Sequence, residues 1–157
     1  MIRFISTSPD MTMQLGQRIG EKICPSSVIA LDGDLGAGKT LLTRGIAQGL
    51  GVTTPVSSPT FTIVNEYDGG RLMMYHFDTY RLQDSEDFEA AGLDEYFGYD
   101  GICVIEWSNI IDDILPECTL RIRIEGVSDQ RTFEAEGPED LIGILKEAAV
   151  SCGCEFL

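Results

Sequence analysis

The octet Gly33-Asp34-Leu35-Gly36-Ala37-Gly38-Lys39-Thr40 satisfies G-x-x-x-x-G-K-[ST] at every fixed position, and it narrows what the chain can fold into. Such a loop binds phosphate because glycine lets backbone N–H groups turn toward an anion with no Cβ in the way. The helix that begins near Lys39 adds the positive end of its dipole. Lys39 is then expected to reach the β- and γ-phosphates, and Thr40 to offer its hydroxyl to Mg²⁺. The flanks have the required form: residues 27–31 are a short apolar, β-branched run, and residues 41–50 carry apolar side chains at helical spacing before Gly51. A glycine-rich turn with an incidental lysine is the competing description, and the strand, loop and helix context counts against it.

At 157 residues the chain reads as one domain, 1–157, large enough to bury a core without disulfide staples. Its cysteines, Cys24, Cys103, Cys118, Cys152 and Cys154, are odd in number, and Cys103 lies in an apolar run. That usage fits a reducing cytoplasm. Cys152 and Cys154 are the one pair with metal or redox spacing, but no second pair accompanies them, so a free, frayed C-terminus is expected. Neither a signal-peptide core nor a membrane-length apolar run is present, which predicts a cytoplasmic protein with no membrane partner. A net charge of −15 argues against a broad electrostatic grip on nucleic acid, so any RNA connection is expected to be indirect. Between Leu82 and Leu120 there is no Lys or Arg, while Asp84, Glu86, Asp87, Glu89, Asp94 and Glu95 crowd its first half. This block either solvates the surface or meets a basic patch on a partner protein.

Taken in order, residues 2–6 alternate like a strand, and Pro9-Asp10 opens an amphipathic helix with Met13, Leu15, Ile19 and Ile23. Residues 61–67 and 72–77 flank Asp68-Gly69-Gly70-Arg71, which predicts an antiparallel hairpin and hence a mixed sheet. Asp84 is placed to cap a short helix that ends at Gly92. Residues 101–107 read as a buried strand, 109–115 as a short helix before Pro116, and 120–124 and 132–135 as two strands around residues 127–130. Pro138-Glu139-Asp140 starts a last helix. The predicted fold class is α/β: a three-layer, P-loop NTPase-like domain with a mixed, partly antiparallel sheet.

Three further stretches carry candidate chemistry. Residues 53–60, rich in hydroxyls and pinned by Pro55 and Pro59, follow the P-loop helix where nucleotide switches keep a segment that senses the γ-phosphate; an inert connector is the alternative. Glu106 ends an apolar strand, the form of a Walker B acid that faces a metal or its water, unless it is a surface acid at a strand end. In His76-Phe77-Asp78-Thr79-Tyr80-Arg81, alternation sends His76, Asp78 and Tyr80 to one side and Phe77 to the other. Asp78 is a candidate to orient water or support a metal ligand. His76 is expected to hold Asp78 or contact a partner, with a plain structural histidine as the alternative. Arg81 is expected to pair with Asp78 or nearby acids.

The octet at 33–40, Ser58-Pro59-Thr60-Phe61, His76-x-Asp78-x-Tyr80-Arg81 and Glu106-Trp107 occur in this order and together resemble the TsaE (formerly YjeE) family over about residues 1–137. The resemblance implies a P-loop ATPase that binds ATP and ADP with Mg²⁺ and acts on two protein partners, TsaB and TsaD, in tRNA N6-threonylcarbamoyladenosine synthesis. TsaD performs the transfer to the adenosine next to the anticodon, at position 37 of the tRNA, and the TsaE-like subunit supports its turnover. Carried onto this sequence, Gly33, Gly36, Ala37, Gly38, Lys39, Thr40 and Leu41 hold the nucleotide phosphates. Thr40 and Glu106 bind Mg²⁺, with Glu106, Asp78 and Lys39 as the catalytic group. Ser58, Pro59 and Thr60 form a switch-like loop, and His76, Tyr80 and Arg81 belong to switch or partner contacts. Trp107 lies near the nucleotide, as do Pro9, Thr12 and Arg131. Leu41 departs from the family pattern, where a second Thr is common, so a hydroxyl contact is lost there.

The implied mechanism is positional and electrostatic. No arginine occurs between Arg81 and Arg121, so no in-chain arginine finger is evident; slow turnover alone and faster turnover with partners are expected. Two other functions share the P-loop. A small-molecule kinase needs an acceptor pocket and usually a basic lid, whereas the corresponding stretch is acidic. A non-catalytic nucleotide-gated binding module needs only a change in partner affinity.

Overall fold

Alternation splits the central strands between two apolar layers. In the computed structural model, which describes residues 1–34, 36–126 and 128–157, strand β2 (Val28–Asp32) sends Ile29 and Leu31 to one face and Val28 and Ala30 to the other. Strand β5 (Ile102–Glu106) does the same with Ile102 and Val104 against Cys103 and Ile105. Leu35 of the glycine octet and Val127 of the turn expected at 127–130 lie outside the described residues.

One face is covered by helices α1 (Pro9–Lys22), α2 (Lys39–Leu50) and α4 (Glu139–Cys152). The other is covered over β4 (Met74–Asp78), β5 and β2 by the short helix α3 (Ser85–Ala90) and two 3₁₀ segments, Leu93–Gly98 and Ser108–Ile114. The helix expected at 109–115 is therefore a 3₁₀ segment, with a non-helical kink at Ile111. Among the described residues one sheet of eight strands has the order β3-β4-β5-β2-β6-β7-β1-β8. Here β1 is Ile2–Ser6, β3 Val64–Tyr67, β6 Leu120–Glu125, β7 Arg131–Glu136 and β8 Glu155–Phe156. The pairs β4–β5, β5–β2 and β2–β6 are parallel and the rest antiparallel, so the sheet is mixed. Among the described residues no helix is long and apolar enough to cross a membrane.

The α1–α2 contact is built on glycine. Gly16 and Gly20 of α1 face Gly45 and Gly49 of α2, and a Cβ on Gly16 would stand 2.5 Å from the Leu42 carbonyl oxygen and 2.8 Å from the Gly45 Cα. The two backbones thus touch. The glycines meet in the same order along both helices, so α1 and the P-loop helix pack side by side in parallel. Ser8 caps α1 by accepting the Met11 N–H at 3.1 Å, with Pro9 in the first turn.

Two further expectations are corrected. The hairpin is present, with Val64 opposite Phe77 and Tyr67 opposite Met74, but β3 starts at Val64 rather than 61. The cause is Ile63, whose φ of 70° leaves the extended region, and whose N–H closes a turn on the Pro59 carbonyl at 2.7 Å. The tail is not frayed: Gly153 terminates α4 in the left-handed conformation, and β8 pairs with β1, Phe4 opposite Phe156. Cys154 is a free thiol and is buried, and that burial pushes its pKa up to about 11.

Candidate functional site

The parallel strands end level, so residues far apart in sequence meet at one edge. Asp78, last in β4, stands opposite Glu106, last in β5, and Leu31 of β2 stands opposite Glu106 on the other side. Alternation turns His76, Asp78 and Glu106 toward the α2 face, and Phe77 toward the opposite layer. Ligands of open α/β sheets bind at this edge, beyond the carboxyl ends of parallel strands.

The glycine loop leads from β2 into α2. Gly36 and Gly38 have φ of 81° and 111°, which only glycine adopts without strain, and a Cβ at Gly36 would meet nothing within 4 Å. The Lys39 amine folds back on this loop, donating to the Gly33 carbonyl at 2.5 Å and the Asp34 carbonyl at 3.0 Å. It also sits 4.3 Å from the Trp107 ring centroid. Burial lowers the Lys39 pKa from its ordinary value, while Glu106, Asp32, Asp78 and Asp34 pull it back up. Arg131, first in β7, clasps the loop from the side: Nε donates to the Ala37 carbonyl at 2.8 Å and a terminal nitrogen to the Gly36 carbonyl at 3.3 Å.

The Thr40 hydroxyl donates to Glu106 Oε1 at 2.9 Å, and the other carboxylate oxygen meets His76 Nε2. Asp78 Oδ2 accepts from Ser58 Oγ at 3.3 Å and Thr60 Oγ1 at 3.2 Å, while Oδ1 accepts the Tyr80 N–H at 2.9 Å. The hydroxyl-rich loop is thereby tied to the strand edge, and Arg44 of α2 holds its Val56 carbonyl at 3.2 Å. Trp107 sits in the left-handed region at φ 60°, an uncommon place for a bulky residue. It is held by its N–H to the Leu31 carbonyl at 3.1 Å and by the Thr79 hydroxyl, which donates to its carbonyl at 2.6 Å.

These groups border a cavity of about 460 Å³, within the range of small-molecule sites. Of the expected site residues, Pro9, Thr12, Gly36, Gly38, Lys39, Thr40, Leu41, Ser58, Thr60, Asp78, Tyr80, Glu106, Trp107 and Arg131 line it. Gly33 and Ala37 instead border a wider cleft of about 1020 Å³ on the uncovered side of β6 and β7, where the site carboxylates Asp78 and Glu106 do not reach. Pro59 is buried within the 53–60 loop and does not border the cavity. Two expectations about the His76 segment are corrected. His76 neither holds Asp78 nor faces a partner, because its ring is fully buried and bonds Glu106. Arg81 does not pair with Asp78, whose oxygens are taken up by hydroxyls and an N–H; its guanidinium lies 4.3 Å from the Phe61 ring centroid, outside the cavity.

Two residues escaped the sequence reading. Asp129 lines the cavity, but an acid in a surface turn gives no signal of that. Asp32, just before the octet, accepts from Ser108 Oγ at 2.8 Å and the Asn109 N–H at 3.1 Å, and so anchors the turn that carries Trp107. Its place at the end of the P-loop strand was the available clue.

The donor set suits a divalent cation and a polyphosphate. Thr40 and Glu106 offer converging oxygens, which a hard cation prefers, and the cavity already holds three carboxylates against Lys39 and Arg131. A polyphosphate adds further negative charge that such a cation offsets. Fold and site together define a P-loop nucleotide-binding protein.

Comparison with known proteins narrows this. The model of the family described as threonylcarbamoyl adenosine biosynthesis protein TsaE matches residues 6–133. A Bacillus subtilis protein named tRNA threonylcarbamoyladenosine biosynthesis protein TsaE is 44% identical over 139 residues, 87% of this chain and 87% of its own length. The protein of the same name from Treponema pallidum is 41% identical over 128 residues, 82% of this chain and 94% of its own. The crystal structure of Bacillus subtilis YdiB superposes with a TM-score of 0.79 at 34% identity, covering 96% of this chain and 97% of that one. The chain belongs to the TsaE family.

Proposed function

We propose that this chain is a cytoplasmic, Mg²⁺-dependent ATPase that serves tRNA N6-threonylcarbamoyladenosine formation by acting on a TsaB–TsaD complex and supporting its turnover. The observation that carries the reading is the bond between Thr40 and Glu106, which joins the P-loop hydroxyl to the acid ending β5 across 66 positions of sequence. Family membership and the names of the relatives support the pathway.

The Gly36 and Gly38 backbone and the start of α2 bind the phosphates. Lys39 exchanges its two carbonyl partners for phosphate oxygens, a change favoured because it neutralises anionic charge in a half-enclosed site. Thr40 and Glu106 hold Mg²⁺, which when bound offsets charge on the β- and γ-phosphates. Asp78 orients the attacking water, and Ser58 and Thr60, which already touch its carboxylate, report the state of the γ-phosphate to the loop they belong to. Arg131 keeps the glycine loop in its binding shape. Pro9, Thr12 and Trp107 wall the remainder of the cavity, where the nucleoside fits.

The test is ATP hydrolysis by the wild type and by Thr40→Ala and Glu106→Ala, each with and without TsaB–TsaD. Partner-stimulated turnover, lost in both variants, is the expected result. Nucleotide binding without hydrolysis in every mixture contradicts the catalytic part and leaves a nucleotide-gated binding module.

A further inference from the structure

We propose that His76 is a positioning residue that fixes the Glu106 carboxylate in the orientation able to hold Mg²⁺, an inference that rests on the metal-site reading above. His76 lies in β4 two residues before the edge at Asp78, and its ring is wholly buried. It reaches diagonally to β5, where Nε2 meets Glu106 Oε2, while Glu106 Oε1 accepts from Thr40. The carboxylate is thus divided, one oxygen held inward and one presented to the cavity. Among the described residues these are its side-chain hydrogen bonds. Asp78 stands beside Glu106 in register, a like charge on the next strand that would push an untethered carboxylate aside.

The donor and acceptor chemistry of the ring supports this role. An ionised carboxylate only accepts, so Nε2 must carry the proton. In a neutral ring the lone pair then falls on Nδ1, and His76 Nδ1 is the one buried side-chain nitrogen or oxygen without a hydrogen-bond partner among the described residues. A buried acceptor without a donor lowers stability, and an apolar ring would fill the space without that loss. What the histidine adds is the Nε2 donor at Glu106. In metal sites a group that holds a ligand in this way is worth about 10- to 100-fold in metal affinity.

The chain has one histidine and one tryptophan, so both spectroscopic probes are unambiguous. ¹⁵N labelling of the wild-type chain is expected to show protonated Nε2 and a hydrogen-bonded ring proton that shifts when MgCl₂ is added to the ADP-bound protein. In Glu106→Ala that response to Mg²⁺ is lost. ADP titrations followed by Trp107 fluorescence, with and without Mg²⁺, then compare three variants. His76→Gln places an amide nitrogen near Nε2 and keeps most of the Mg²⁺-dependent tightening. His76→Asn places its amide near Nδ1 instead, and His76→Leu has no donor; both lose about 10- to 100-fold of the tightening and leave Mg²⁺-free ADP affinity unchanged. Should His76→Leu fail to fold, the pair Gln and Asn gives the same contrast between two polar residues. Protonation at Nδ1, a ring proton indifferent to Mg²⁺, or equal Mg²⁺ dependence in Gln and Asn overturns the proposal. Wild-type ADP binding that ignores Mg²⁺ altogether overturns the metal-site reading itself, a distinct result.

Discussion

The parallel centre of the sheet and its antiparallel flank share one hydrophobic layer yet contribute differently to the site. In the centre, β4, β5 and β2 run the same way and stop together, so Asp78, Glu106 and the glycine loop arrive at one edge from separate stretches of sequence. In the flank of β7, β1 and β8, neighbours run opposite ways, and the same edge receives the start of β7 beside the end of β1, Arg131 opposite Ser6. The flank therefore supplies one cation and the start of α1. Its main work is structural: Phe4 stacks on Phe133 at 5.1 Å, and its outer face carries surface ion pairs such as Arg3–Glu134 at 3.1 Å. Aligned strand ends concentrate chemistry, whereas alternating ones disperse it.

Perturbing each region should separate these contributions. The largest effect is expected at the parallel edge, where Lys39→Ala reduces partner-stimulated ATP hydrolysis by about 10²- to 10³-fold, measured as phosphate release, through loss of a fixed charge at the phosphates. Next comes the seam that ties the flank's helix to the P-loop helix. Gly20→Val forces a side chain into the Ile46 carbonyl and is expected to destabilise by about 1–3 kcal/mol, read as a fall in Tm of several degrees. A smaller change is expected on the flank itself. Removing residues 155–157 deletes β8 and the Phe4–Phe156 contact at 5.7 Å, lowering stability by about 1 kcal/mol while Mg²⁺–ADP affinity is unchanged. A fall in affinity there would show that the flank reaches further into the site than its strand directions suggest.

The smallest effect is one of rate. Burial pushes the Cys103 thiol up to about 12 and the Cys154 thiol up to about 11, so both stay protonated at neutral pH, while Cys24 and Cys118 are exposed. With a thiol-alkylating reagent at pH 7.5, Cys24 and Cys118 are expected to react first. Cys154, at the sheet edge, should follow through local opening, and Cys103, in the centre, only on global unfolding. Equal protection of Cys103 and Cys154 would mean that flank and centre open together.

How far the sequence discloses the molecule follows the same division. The octet, the apolar run ending at Glu106 and the alternation through Asp78 are local patterns, and they locate the parallel edge because each element's final residue is the functional one. The hairpins and α4 were also legible, from turn residues and helix-start signals. Contacts that depend on register were not. His76 reaches Glu106 only because β4 and β5 pair with Asp78 opposite Glu106, and no periodicity within either strand specifies that offset. Arg81 goes to Phe61 rather than to an acid for a similar reason: the turn closed by Ile63 places the ring there. The two-residue β8 is too short for any pattern, so the tail looked loose until its partner β1 was in view.

The central claim is that the level ends of the parallel strands make one Mg²⁺-assisted nucleotide site. Calorimetric titration of ADP into the wild type and into Glu106→Ala, with Mg²⁺ and with EDTA, tests it most directly. The expected result is that Mg²⁺ tightens wild-type binding by about tenfold or more and leaves Glu106→Ala indifferent, with the two proteins alike in EDTA. Equal tightening by Mg²⁺ in both proteins would contradict the account, since the acid that ends β5 would then have no part in holding the metal.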